Sequence, residues 1–235
     1  MRLGIMQPYF MPYLGYFSLI KHTDEFILFD PVQFIYHGWI ERNRILKQSG
    51  GWQYISVPLK KHSRETIIQD IEINNDQPWQ EKMKAQLQHY RRAPHFSQVM
   101  QLLDELFSRP YTSITQLDKR ALELVCGYLD IHREFPVFSE MGCEIEPVHA
   151  PDEWALNICR ALGAHEYWNP PGGMEFFDRE KYRTAGIDLR FQKVSLSEYP
   201  QKRGQPFEPG LSIVDAMMFN SPEEINRMLD DFELL

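Results

Sequence analysis

Residues 1–33, MRLGIMQPYFMPYLGYFSLIKHTDEFILFDPVQ, decide the fold. A short apolar run (Leu3, Ile5, Met6) breaks at Gln7-Pro8-Tyr9-Phe10, so a strand is stopped by a loop. The loop continues through Met11-Pro12-Tyr13-Leu14-Gly15-Tyr16 and is aromatic rather than polar, and its prolines fix φ and remove donors. Such a segment is rigid and half buried. Beyond it, Leu14, Phe17 and Ile20 share one helical face, and the run Phe26-Ile27-Leu28-Phe29 ends at Asp30. The pattern predicts a strand–loop–helix–strand unit. In open α/β sheets ligands bind beyond the carboxyl ends of the strands, which would put Gln7, Asp30 and Gln33 at one crevice. Alternatively, Gln7 and Asp30 cap the strand ends and bond loop amides.

Working outward, Pro31 to Arg44 mixes aromatics (Phe34, Tyr36, Trp39) with His37, Glu41, Arg42, Asn43 and Arg44. Polar groups converging among rings are how pockets fix a ligand's orientation, and the other reading is a surface connection whose Trp39 covers the core. Gly50-Gly51 punctuates, and Trp52 to Val57 reads as a third strand of the parallel sheet, closed by Pro58. On that reading Lys60 and Lys61 follow its carboxyl end. Ile67, Ile68, Ile71 and Ile73 suggest a short β-like patch. Helical stripes follow at Trp79–Tyr90, at Val99–Phe107 and, from a Ser113/Gln116 capping box, at Leu117–Leu129. Phe135–Phe138 reads as a fourth strand. Asp152 is placed to cap a helix that stops at Gly163, and Glu166-Tyr167-Trp168 makes a fifth strand running into Asn169-Pro170-Pro171-Gly172-Gly173. That Gly-Gly pair would let a ligand approach the backbone, or it is simply a turn, and Asp178 offers a cap or an acid just downstream. Asp188–Val194 alternates as a strand. Residues 211–220 are apolar almost all round and predict a buried helix enclosing Asp215, and Ser221, Pro222 and Glu224 open the last helix with a capping box.

The expected architecture is therefore α/β, Rossmann-like, with a mainly parallel sheet. Residues 1–235 form a single domain in this reading, with a helical insertion over about 76–132. A net charge of −8 and a pI near 5.5 argue against a general nucleic-acid surface. Local basic groups at Arg42/Arg44/Lys47 and Lys60-Lys61-His62/Arg64 suit a phosphate on a small molecule or a solvated face. Cys126, Cys143 and Cys159 have neither metal-pair spacing nor an even number, so they read as reduced thiols. No apolar run approaches the ~20 residues of a membrane span and no signal segment is present, which predicts a cytoplasmic protein without membrane insertion.

The chain resembles the WbqC-like protein family through MQPYFMPYLGYFSLI at 6–20, DPVQFIYHGWIERNRIL at 30–46, ICRALGA at 158–164, NPPGG at 169–173 and LSIVDAMMFN at 211–220. Members are associated with gene clusters for O-antigen and other surface polysaccharides, so the resemblance implies lipopolysaccharide biosynthesis and modification of a sugar nucleotide. The first unit is also distantly similar to nucleotidyltransferase-like α/β folds. Those enzymes carry HxGH where this chain has Tyr13-Leu14-Gly15-Tyr16, and a neutral tyrosine cannot supply an imidazolium charge.

Three functions follow. The first is an acyl- or aminoacyltransferase that forms an amide on an amino sugar from an activated acyl or aminoacyl donor. The second is an ATP-dependent ligase or nucleotidyltransferase, and the third a non-catalytic ligand-binding subunit. For the first, Asp30 is the expected base or amine-orienting group. Gln7 with the Gly172 and Gly173 amides would donate hydrogen bonds, and Arg44 with Lys60 would hold phosphate. Asn43 and Asn169 would fix the substrate, with Tyr9, Gln33, Trp39, Asp178 and Gln201 completing the set. No metal cluster is expected, and the sequence specifies no cofactor.

Overall fold

The apolar run at the N-terminus forms strand β1 (Arg2–Met6) in the computed structural model, which describes residues 1–201 and 206–235. Helix α1 (Leu14–His22) returns the chain to β2 (Glu25–Leu28), parallel to β1 with Gly4 opposite Phe26. Side chains alternate along these strands. Leu3, Ile5 and Ile27 enter one apolar cluster, while Phe26 and Leu28 enter the other, with α1. The two cores thus lie on opposite faces of one sheet.

The next segment departs from expectation. Residues of the supposed third strand pair instead in an antiparallel hairpin, β3 (Arg42–Leu46) with β4 (Trp52–Ser56), which is a separate two-stranded sheet. The short Lys47–Gly51 connection explains the difference, because a parallel return needs a crossover of about a dozen residues or more. Gly50 and Gly51 take φ of 110° and 66°, and the Lys47 amide donates to the Gly51 carbonyl. The isoleucine patch holds only a 3-10 turn at Ile68–Asp70 and single bridges from Gln33 to Ile67 and from Leu59 to Ile73.

Three helices, α2 (Trp79–Leu87), α3 (Phe96–Leu106) and α4 (Ile114–Tyr128), bury the stripes read from the sequence. Ser113 flanks α4 without a side-chain capping bond, so the expected capping box there is absent. The supposed strand at Phe135–Phe138 is reduced to one parallel bridge between Leu28 and Val137, since Pro136 has no amide with which to extend a ladder.

The αβ rhythm resumes with α5 (Glu153–Leu162), β5 (Glu166–Asn169), α6 (Arg179–Thr184) and β6 (Asp188–Val194). Gly163 ends α5 in the left-handed conformation, at φ 68°. Asp152 flanks α5 but does not cap it; its carboxylate takes Lys181 Nζ at 3.1 Å instead. Helix α7 (Ile213–Phe219) is buried, and α8 (Pro222–Asp230) opens with the reciprocal Ser221/Glu224 bonds that its sequence announces. Strand β7 (Phe232–Leu234), which had no clear signal, pairs antiparallel with β6. The central sheet has the order β2-β1-β5-β6-β7, parallel except at β7. Among the described residues no helix is long and apolar enough to cross a membrane.

Candidate functional site

Strand β1 lies between β2 and β5. The chain leaves β1 toward one side and comes back much later on the other, so the loops after β1 and β5 diverge and leave a crevice at their carboxyl ends. Gln7 follows β1 directly and Asn169 ends β5. A cavity of about 1300 Å³ opens there, walled by the loop after β1, the Phe29–Arg44 segment, residues 148–155 and the turn after Asn169.

The loop after β1 is held from distant parts of the chain. The Phe10 amide donates to the Trp39 and Ile40 carbonyls, and Asn43 Nδ2 donates to the Phe10 carbonyl at 3.2 Å. From the C-terminal side, Ser212 Oγ donates to the Met11 carbonyl at 2.7 Å and the Ile213 amide to the Pro12 carbonyl at 2.8 Å. These bonds keep Met11 at φ 44° and bury Phe10 and Met11 beneath the loop. On the cavity side stand Tyr9, Tyr13 and Tyr16. Burial raises all three phenol pKa values, Tyr16 most, so each stays a neutral hydrogen-bond donor. The Tyr16 hydroxyl is already used, donating to the Gln7 carbonyl at 2.8 Å.

Opposite them, the Arg44 guanidinium lies over the Trp39 and Trp52 rings, 5.5 and 5.3 Å from their centroids. Its Nη2 donates to the Gly210 carbonyl, its Nε is buried without a partner, and among the described residues it makes no ion pair. Among the described residues, the lining contains no aspartate or glutamate. At the β5 end, a Cβ on Gly173 would come within 2.9 Å of Asn169 Nδ2, so the glycine makes room for that amide. Phe29, Trp154, Phe176 and Phe177 add an aromatic wall beside the His149 imidazole, which has no partner of its own among the described residues. The His149 and Ala150 amides are fixed by Glu153, whose carboxyl they and Lys181 hold down at about 2.

Of the residues read from the sequence, Gln7, Tyr9, Gln33, Trp39, Asn43, Arg44, Asn169, Gly172 and Gly173 line this cavity. Four do not. Asp30 is 1% exposed, and its two oxygens accept from the Ser139 amide (3.1 Å) and hydroxyl (2.7 Å). Lys60 follows the hairpin rather than a strand of the main sheet, and pairs with Glu72 on the surface. Asp178 caps α6 by accepting from the Glu180 amide at 3.0 Å. Gln201 is occupied by Asp215, Tyr199 and the Glu208 backbone. Asn43, though lining the cavity, spends its amide on Phe10 and its oxygen on the Arg44 amide. Sequence reasoning missed Tyr13, His149 and Trp154 as wall residues. Pro147 and Pro151 around His149, just before a helix and its following strand, were the available signal. Among the described residues, no group of three or more His, Cys, Asp or Glu is placed to hold a metal ion.

The chain matches the WbqC-like protein family over residues 7–227 and belongs to it. It is 29% identical over 228 residues to the uncharacterized protein Rv1507c of Mycobacterium tuberculosis (strain ATCC 25618 / H37Rv), with 93% of each chain covered. No solved structure matches it.

Proposed function

We propose that this WbqC-like protein binds a phosphorylated sugar, most simply a sugar nucleotide, and transfers an activated acyl or aminoacyl group to its amino group in surface-polysaccharide assembly. One observation carries the reading. In a chain of net charge −8, the described residues of the cavity lining include no carboxylate and one permanent cation, Arg44, which makes no ion pair among the described residues. A guanidinium stacked on two indoles is a phosphate or carboxylate receptor, and the aromatic walls suit a base or sugar ring. Ligand pockets commonly measure about 300–1,000 Å³, so a cavity of about 1300 Å³ has room for a donor beside the acceptor. The polysaccharide setting comes from the family resemblance.

In this reaction the amine nitrogen attacks the activated carbonyl carbon and forms the amide bond. The bond to the donor's leaving group breaks and its electron pair departs with that group. His149, rather than Asp30, takes the proton released by nitrogen, since imidazole is the side chain most often used as a general base. The amides of Gln7 and Asn169 face the position where an oxyanion develops. The withdrawal of Asp30 into the protein favours a second reading, in which the chain binds this ligand without transforming it.

The test incubates the protein with UDP-linked amino sugars and acyl or aminoacyl thioesters, with and without ATP, and follows products by mass spectrometry. Acylated sugar nucleotide formed without ATP is the expected result. Product only with ATP would move the assignment to a ligase, and tight binding without any product would leave the binding-subunit reading.

A further inference from the structure

Gly15 shows where a second ligand contact lies. A Cβ at this position would sit 2.4 Å from the Tyr13 hydroxyl oxygen and 2.5 Å from the ring carbon bearing it. The Tyr13 ring therefore folds back over the first turn of α1, and its hydroxyl rests in space that any other residue at 15 would fill. Positions two apart on a helix do not ordinarily face each other. Here Tyr13 precedes the helix in an extended conformation, at φ −78° and ψ 172°.

The Tyr13 backbone is held from two sides. It bridges to Ser212, and its carbonyl accepts from the Tyr16 amide at 3.1 Å. Ser212 also donates its amide to the Arg44 carbonyl at 2.8 Å, so one residue of the C-terminal segment ties the backbones of Tyr13 and Arg44, both of which line the cavity.

The hydroxyl itself has no hydrogen-bond partner among the described residues. Four other tyrosines spend theirs inside the protein: Tyr16 donates to the Gln7 carbonyl, Tyr182 to the Asp152 carbonyl, and Tyr90 and Tyr199 to Asp215, whereas Tyr9 and Tyr167, which also line the cavity, resemble Tyr13 in having no hydroxyl partner among the described residues. A half-buried phenol left free on a cavity wall has its donor available for what enters the cavity.

We propose that Tyr13 is a ligand-binding residue whose hydroxyl donates to a phosphoryl oxygen held by Arg44, and that Gly15 is the positioning residue that sets it there. This rests on the sugar-nucleotide reading and adds the atoms that recognise the phosphate. Raised by burial, the phenol remains a neutral donor across the physiological range.

Calorimetric titration of the protein with UDP-N-acetylglucosamine and with pyrophosphate tests this. Tyr13→Phe should weaken both probes about tenfold, the effect of one hydrogen bond to a charged group, with an unchanged melting temperature. Gly15→Ala keeps the hydroxyl but displaces it, and should weaken both probes at least as much. Adding Tyr13→Phe to Gly15→Ala should then cost nothing further, because the donor is already lost. Wild-type binding that Tyr13→Phe leaves unchanged would overturn the inference alone. A full additional tenfold loss in the double variant would remove Gly15 as the positioning residue. If neither probe binds the wild-type protein, the inference falls together with the sugar-nucleotide reading.

Discussion

The cavity wall and the Asp215 network are both rich in tyrosine and polar side chains, yet they spend hydrogen bonds in opposite ways. Around Asp215 everything is matched. Tyr90 donates to Oδ1 at 2.5 Å, Tyr199 and Gln201 donate to Oδ2 at 2.7 and 3.0 Å, and the Tyr90 oxygen accepts from the Leu46 amide at 2.8 Å. That set ties the hairpin, α7 and the segment after β6 together. On the cavity wall, Arg44 makes no ion pair, and the Tyr13 hydroxyl and the exposed His149 ring bond to none of the described residues. A polar group that the protein satisfies holds the fold; one left open toward a cavity is held for something else.

The largest effect expected from this contrast is on stability. Asp215→Ala takes the acceptor from two phenols and leaves the Gln201 amide its other partners, at about 1–3 kcal/mol for each unmet phenol, so denaturant unfolding should show a loss of about 4 kcal/mol. Next comes the pH dependence. Burial pushes the Asp215 carboxyl up from 3.8 to about 6, against the pull of its three donors. The native state then binds more protons than the unfolded state between these values, so this residue's contribution is greatest below about pH 4 and is lost as pH rises through 6. The swing is about 3 kcal/mol, and Asp215→Asn should abolish it when unfolding is measured at pH 4 and pH 7.

Asp118 sharpens the comparison by belonging to neither class. It is 0% exposed, both oxygens lack partners among the described residues, and burial followed by the nearby Glu41 raises its pKa well above normal. It does not line the cavity, so its openness serves no ligand there and is a cost. Asp118→Leu should raise stability by about 2 kcal/mol in thermal or denaturant unfolding. The smallest change belongs to the cavity. Arg44→Met should lower stability by less than about 1 kcal/mol, the worth of its stacking on tryptophan, while titration shows pyrophosphate binding weakened at least tenfold. A stability loss as large as that of Asp215→Ala would make Arg44 a structural residue and break the contrast.

Much of this was local enough to read in advance. The run Leu3–Met6, its interruption at Gln7-Pro8, the Leu14/Phe17/Ile20 face, the stop at Gly163, the Ser221/Glu224 box and the buried helix around Asp215 each depend on residues within a few positions of one another. Backbone preference and apolar periodicity act at that range, and with the rule that ligands lie beyond strand ends they brought Gln7 and Asn169 to one crevice. Only tertiary structure decided the rest. Asp30 stands at its strand end as expected, but Ser139, over a hundred positions later, turns its carboxylate inward. The hairpin took Trp52–Ser56 out of the parallel sheet, Ser212 joined Tyr13 to Arg44, and residues 148–155 closed the cavity with His149. Which way a side chain points depends on the partner that reaches it, and those partners come from parts of the chain that meet only when the core is packed.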